Sequence, residues 1–196
     1  MRAFRLGLTG SIGMGKSTTA AFFDAEGVEV WDADAAVHRL YARGGAGVDP
    51  VGALCPLSVK DGEIDRSTLR RWIASEPSAL MSLETVVHPL VAADRAEFLA
   101  KSSGDLVVLD IPLLFEKGTE AEMDATLLVT APKSLQRTRV LARPGMTEAQ
   151  FDRILRRQMP DAEKRTRATH IVETLSMTQT RSYVEALIAF VRAQHA

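Results

Sequence analysis

The residues Thr9-Gly10-Ser11-Ile12-Gly13-Met14-Gly15-Lys16-Ser17-Thr18 combine types suited to holding phosphate. From Gly10 to Ser17 they follow G-x-x-x-x-G-K-[ST]. The glycines let the backbone curl until several N–H groups point into one hollow, and a helix starting behind the hollow adds its positive end. Lys16 can reach the β- and γ-phosphates of a nucleotide there, and the Ser17 hydroxyl is placed to ligate Mg²⁺. Gly10, Ile12, Gly13, Met14, Gly15, Lys16, Ser17 and Thr18 are therefore the expected nucleotide-binding stretch. The plainer alternative is a glycine turn with an incidental lysine, and the strand before and helix after weigh against it.

Carboxylates supply the next chemistry. Asp32 and Asp34 close a short run, Val28-Glu29-Val30-Trp31, and open α/β sheets bind ligands at the carboxyl edge of their strands. Alternate strand residues point to opposite faces, so one carboxylate can look toward phosphate while the other caps the following helix. A kinase benefits from a carboxylate that orients the acceptor hydroxyl and takes its proton. By spacing, Asp34 is open to either role, base or cap. Asp110 ends the apolar run Leu106-Val107-Val108-Leu109 as a Walker-B acid does, and could hold Mg²⁺ directly or through water. An Asp at a strand end is also common without a metal.

Charge is unevenly spread. Residues 133–167 hold ten Lys and Arg against four acids, a local excess of +6 in a chain whose net charge is -1. Gln136, Arg139 and Arg143 lie at i, i+3, i+7 on one helical face, and Arg153, Arg156 and Arg157 follow a break at Pro144-Gly145. Arginines near a phosphate-binding loop can clamp the transferring group and stabilise transition-state charge, which is the reading for Arg139 and Arg143. A solvated helical surface accounts for Arg156 and Arg157. His38, His88, His170 and His195 are scattered without metal-ligand spacing, and His88 beside Pro89 reads by itself as structural.

Four or five strands and several helices must position these groups. Phe4 to Thr9 is a strand entering the glycine turn, and Ser17 to Ala25 a helix that Gly27 ends. Val28 to Trp31, Leu106 to Leu109 and Thr126 to Val129 follow, with Ile171-Val172 a weak fifth strand. Runs apolar on both faces belong in a parallel sheet covered by helices. Val184, Leu187, Ile188 and Val191 repeat at i, i+3, i+4, i+7 and mark an amphipathic closing helix. Between Ala35 and Lys101 no strand is expected: helices cover Ser67–Ser75 and Ser78–Lys101, the latter kinked at Pro89. The fold expected is α/β, a three-layer core with a five-stranded parallel sheet, a helical insertion after the second strand and a basic helical segment after the fourth.

The bulk properties exclude several classes. The chain has 196 residues, 46% hydrophobic and 25% charged, ordinary for one globular domain with mobile insertions. A near-neutral total and a local basic excess without interleaved aromatics argue against a nucleic-acid partner. No apolar run approaches the roughly 18 residues of a membrane span, and no signal peptide is evident, so a cytoplasmic location is expected. The single cysteine, Cys55, rules out an internal disulfide and has no neighbouring base to make it a nucleophile.

With these residues in view, the chain resembles the dephospho-CoA kinase family of P-loop kinases over nearly its full length. Leu8 to Thr18 is similar to the family's opening, and Asp32-Ala33-Asp34 to its next signature. Asp61-Gly62-Glu63-Ile64-Asp65-Arg66, Leu83-Glu84-Thr85-Val86-Val87-His88-Pro89 and Asp110-Ile111-Pro112-Leu113-Leu114-Phe115-Glu116 resemble later ones. Gln136-Arg137-Thr138-Arg139, Arg143 and Gln158 resemble the lid. The P-loop is shared by many families; the ordered set is far more specific. The resemblance implies a nucleotide-binding core of residues 1–34, 104–140 and 168–196, a helical acceptor domain of 35–103 and a lid of 141–167. It implies Asp34 as catalytic base, Arg139 and Arg143 at the phosphates, and Asp32, His88, Leu113, Leu114, Phe115 and Glu116 toward the acceptor pocket.

The reaction so implied is in-line transfer of the ATP γ-phosphoryl group to the ribose 3′-hydroxyl of dephospho-CoA, with Mg²⁺ and with Lys16, Arg139 and Asp34 as catalytic groups, in a chain able to work as a monomer. Departures stand at Ser11, where a second Gly is frequent, at Ala168-Thr169 in place of Ala-Asp, and at Thr174 in place of Asn. Thr169 and Thr174 are expected near the adenine edge. Leu54-Cys55 replaces an aromatic-Gly pair. One rival is a kinase for another small acceptor, such as a nucleoside monophosphate or a sugar acid. A second is a P-loop regulatory NTPase, although no guanine-reading Asn-Lys-x-Asp is present.

Overall fold

The computed structural model describes residues 2–195, the side chain of His195 excepted, so what is expected of Met1 and of that imidazole lies outside the described residues. β1 (Phe4–Thr9) is the middle strand of a five-stranded parallel sheet ordered β2-β5-β1-β6-β7. The others are β2 (Glu29–Asp32), β5 (Leu106–Asp110), β6 (Ala125–Thr130) and β7 (His170–Glu173). All residues of β5 and β6 are buried, as expected of runs covered by helices on both faces. Register places Leu8 between Asp110 and Leu127, and Val129 beside Val172. The glycine loop therefore leaves the sheet at its centre, from the carboxyl end of β1.

α1 (Lys16–Ala25) follows the loop and stops as expected: Gly27 adopts φ 74° and donates its N–H to Asp24 O at 3.0 Å. α9 (Met177–His195) buries Val184, Leu187, Ile188 and Val191 in the core with Leu6, Leu8, Phe22, Phe23 and Val108. Each such side chain taken from water contributes about 1.5–3 kcal/mol. α6 (Lys133–Leu141), α7 (Glu148–Leu155) and α8 (Asp161–Arg167) carry the basic segment. A Thr147–Gln150 capping box starts α7, so the N–H groups of Thr147 and Gln150 are satisfied by side chains.

The chain divides into two compact units, one formed by the residues up to Trp31 with those from Ser102 onward, the other by Asp32–Lys101. The second unit has its own core of Leu40, Tyr41, Val48, Val51, Ile64, Leu69, Leu83 and Val87. It contains α2 (Ala33–Tyr41), α3 (Val48–Leu54), α4 (Arg66–Ser75) and α5 (Ala79–Lys101), and α5 continues through Pro89. It also contains a strand pair that the sequence expectation omitted: β3 (Val59–Lys60) and β4 (Glu63–Ile64) form a minimal antiparallel hairpin. Asp61 and Gly62 turn it with φ of 52° and 80°. Asp-Gly is a strong signal for such a two-residue turn, but strands of two residues are too short to show alternation. Asp61 is the one non-glycine residue with positive φ among the described residues, so Ser11 has ordinary torsions, as a tolerated replacement for glycine requires.

Candidate active site

The loop from Gly10 to Ser17 is shaped by two left-handed glycines, Gly13 at φ 77° and Gly15 at φ 96°. A Cβ on Gly13 would run into the Val140 side chain, and one on Gly15 would meet the Thr174 side chain at 3.0 Å. Both positions thus combine a conformation and a proximity that only glycine allows. Met14 is buried beneath the loop, and its Sδ accepts the Ala131 N–H at 3.0 Å. Two side-chain amides hold the peptide groups of Ile12. Gln136 Nε2 donates to Ile12 O at 2.8 Å, and Ile12 N donates to Gln158 Oε1 at 3.1 Å. The first N–H groups of α1 have no partner within their helix, and Ser17, in its first turn, is exposed.

Lys16 Nζ is bonded to Asp110 Oδ1 at the end of β5, with Asp110 almost wholly buried. The lysine–carboxylate pair thus lies at the foot of the loop, on the carboxyl edge of the sheet. A pocket of about 340 Å³ is lined by Gly13, Gly15, Thr18, Arg139, Arg143 and Thr174, with Leu175, Ser176, Met177 and Thr180 completing the wall. Arg139 is pinned by two bonds, NH1 to Thr174 Oγ1 at 2.8 Å and NH2 to Thr174 O at 2.6 Å. Arg143, just past the end of α6, is exposed. The expected cluster of Gly10 to Thr18, Asp110, Arg139 and Arg143 is therefore assembled in the sheet-containing unit.

Other expected residues take different positions. Asp32 is the N-cap of α2, its carboxylate accepting from Ala35 N at 2.8 Å. That leaves Asp34, in the first turn of the same helix and exposed, without the capping duty that spacing also allowed it. His88 is exposed on α5 with Glu84 one turn away at 3.9 Å. These three belong to the helical unit. Leu114 and Phe115 are fully buried, Leu113 is half-buried, and the Arg167 guanidinium lies 5.3 Å from the centre of the Phe115 ring. Glu116 faces the protein: Oε1 accepts from Met159 N at 2.8 Å and lies 2.9 Å from Nζ of the fully buried Lys164. The segment Pro112–Glu116 and the basic segment are thus tied together by a buried charge pair.

The expectation that Thr169 and Thr174 share an adenine edge needs correction. Thr174 lines the pocket, whereas Thr169 pairs with Thr126 at the opposite end of β6: Thr169 N donates to Thr126 Oγ1 at 3.0 Å, and Thr126 N to Thr169 Oγ1 at 3.2 Å. β7 separates the two threonines, and an extended strand of that length spans roughly 16 Å. Part of the basic segment's excess charge is met by acids from outside it, Arg165 by Glu173, Arg167 by Glu120 and Lys164 by Glu116, while Arg137–Glu148 and Arg165–Asp161 pair within it.

A family model described as Dephospho-CoA kinase matches residues 4–179. The chain belongs to the dephospho-CoA kinase family. A relative from Cereibacter sphaeroides named Dephospho-CoA kinase is 70% identical over 192 residues, which is 98% of each chain. The crystal structure of TT1252 from Thermus thermophilus is similar with a TM-score of 0.86 and 38% identity, covering 97% of this chain and 98% of that one. Dephospho-CoA kinase from Campylobacter jejuni has the same fold, with a TM-score of 0.66 at 22% identity over 95% and 96% of the two chains. As a member of the dephospho-CoA kinase family, the chain is a kinase. The bonds of Gln136 to Ile12, of Arg139 to Thr174 and of Lys164 to Glu116 had no signal in the sequence, because each joins residues more than thirty positions apart.

Proposed function

We propose that the chain transfers the γ-phosphoryl group of ATP to the ribose 3′-hydroxyl of dephospho-CoA, yielding coenzyme A and ADP. The observation that carries this reading is the pocket in which the glycine loop, Arg139 and Arg143 converge, in a chain of the dephospho-CoA kinase family. The N–H groups of the loop and Lys16 hold the β- and γ-phosphates, and the oriented guanidinium of Arg139 meets the charge that spreads over the transferring group. The exposed Asp34 orients the acceptor hydroxyl and accepts its proton as the new O–P bond forms and the bond to the β–γ bridging oxygen breaks. Arg143 and Gln158 belong to the segment that closes over the phosphates and keeps water out. In this reading Asp32 and His88 of the helical unit are acceptor-binding groups, and so, within the sheet-containing unit, is the Leu113–Glu116 segment.

A hard cation suits the donors present. The Ser17 hydroxyl opens α1 and the Asp110 carboxylate closes β5, two oxygen ligands of the kind Mg²⁺ takes while keeping waters and substrate phosphates. Among the described residues no cluster of three or more His, Cys, Asp or Glu competes as a metal cage. When bound, Mg²⁺ neutralises charge on the β- and γ-phosphates. No helix among the described residues is long and apolar enough to cross a membrane. The same reading takes the enzyme to be cytoplasmic and able to act as a monomer, with Cys55 free and buried. The test is ADP release from ATP·Mg²⁺ with and without dephospho-CoA, with the product weighed by mass spectrometry. Acceptor-dependent ADP and a product heavier by one phosphoryl group are expected. Faster turnover of a nucleoside monophosphate or sugar acid would transfer the assignment to that acceptor.

A further inference from the structure

We infer that Thr174 is a positioning residue for phosphoryl transfer, holding Arg139 and the P-loop in one fixed relation. Thr174 stands just beyond β7, buried, with its own N–H donated to Thr130 O at 2.9 Å. Its hydroxyl donates to Met14 O at 2.7 Å, inside the glycine loop, with Thr130 O at 3.3 Å as a weaker alternative. The same hydroxyl oxygen accepts from Arg139 NH1 at 2.8 Å, and the Thr174 carbonyl accepts from Arg139 NH2 at 2.6 Å. One residue therefore joins the end of β6, the loop backbone and the guanidinium. Its methyl and hydroxyl also lie 3.0–3.2 Å from where a Cβ on Gly15 would be, so the side chain fills the space under the left-handed turn.

The consequence follows from the chemistry of a hydroxyl. It has a single proton, which goes to Met14 O, so Thr174 has no side-chain donor to offer a nucleotide base even though it lines the pocket. Its role is to orient. A guanidinium held by two bonds on one edge presents its remaining N–H groups in a fixed direction. A long, flexible Arg side chain is thus ordered before the phosphates arrive, and little reorganisation is left for the transition state. Valine has the same shape and lacks the hydroxyl, so Thr174→Val removes the NH1 anchor and the link to Met14 while the carbonyl anchor stays.

This inference rests on the placement of Arg139 at the transferring phosphates, and the experiment separates the two. Steady-state kinetics and thermal unfolding are measured for the wild type, Thr174→Val, Thr174→Ser, Arg139→Ala and Thr174→Val/Arg139→Ala, with ATP·Mg²⁺ and dephospho-CoA. Thr174→Val should lower kcat about tenfold, from the loss of one charge-assisted bond, with KM for ATP within about twofold. Thr174→Ser should restore most of the rate, since it returns the hydroxyl. In the Arg139→Ala background, Thr174→Val should cost under about twofold, because its effect acts through Arg139. An equal loss in both backgrounds would overturn the inference. So would an unchanged kcat in Thr174→Val while Arg139→Ala is impaired. An unimpaired Arg139→Ala would overturn the placement of Arg139 and the inference with it. If Thr174→Val does not fold, Thr174→Ala carries the same comparisons.

Discussion

Lys16 and the buried Asp110 carboxylate form a charge pair at the carboxyl edge of the sheet, and both lie where strand and helix ends put them. Lys16 opens α1, Asp110 closes β5, and register sets Leu8 beside Asp110, so the pair forms as soon as the central strands align. Asp34 is different in kind. It is exposed in the first turn of α2, whose cap is already provided by Asp32, so its carboxylate has no structural bond to maintain there. Asp34→Asn keeps the shape and removes the basicity. Turnover should fall by roughly 10²–10⁴ with nucleotide affinity unchanged, read from ADP release and from calorimetric titration of ATP·Mg²⁺. Turnover within a few-fold of wild type would place the base elsewhere. At this scale the P-loop residues were legible because local geometry demands their types at fixed spacing. Gln136 and Thr174 were singled out by spacing and resemblance, but their contacts were not legible, because nothing local distinguishes a glutamine that holds Ile12 or a threonine that holds an arginine.

Elements are joined by contacts that periodicity cannot show. The clearest is the Lys164–Glu116 pair, which fastens α8 to the segment after β5 with the lysine side chain fully buried. Desolvated charges of this kind are costly to separate. Lys164→Ala should destabilise the protein by about 3–5 kcal/mol in urea unfolding, whereas Lys164→Met with Glu116→Leu should recover much of that loss. If Lys164→Ala cost under about 1 kcal/mol, the pair would not be the fastening. The hairpin turn at Asp61-Gly62 is a milder case. Gly62 has φ 80°, and an added Cβ would meet Arg43 Cγ at an unstrained 3.6 Å, so Gly62→Ala isolates the conformational term. A loss of about 1–2 kcal/mol is expected by thermal unfolding, and a neutral effect would mean the turn relaxes at no cost. The amphipathic closing helix and the apolar strands were legible at this scale, since burial imposes a repeat of 3.6 on the one and continuous apolarity on the others. The hairpin was not, because two residues per strand carry no repeat.

For the whole molecule, the two compact units each have their own core, and each carries a group outside that core whose titration responds to acid. In the sheet-containing unit, burial holds the His170 imidazole below its ordinary pKa, with the ring edge-on to Phe190 at 6.0 Å. Below about pH 6.5 the unfolded chain therefore binds a proton that the folded one resists, and stability falls as pH drops from there through the depressed native pKa. The urea midpoint of the wild type should decline more between about pH 7.5 and 5.5 than that of His170→Gln; equal declines would show that His170 does not set the slope. Asp65 acts in a lower window. Lys60, with the hydroxyls of Thr68 and Ser67, holds its carboxylate well below the usual range, so what it contributes is lost only below about pH 4. The sequence by itself determined the phosphate-binding loop, the parallel sheet, the closing helix and the family, because these rest on residue types at short, fixed spacing and on repeats that burial imposes. Tertiary structure alone decided that Asp32 rather than Asp34 caps α2, that Glu116 turns to Lys164, that Thr169 and Thr174 lie at opposite ends of β7, and that Thr174 holds Arg139. The cap and the placing of the two threonines depend on where β2 gives way to α2 and where β7 begins and ends. The Glu116 and Thr174 contacts depend on which distant element is brought alongside, which local spacing cannot set.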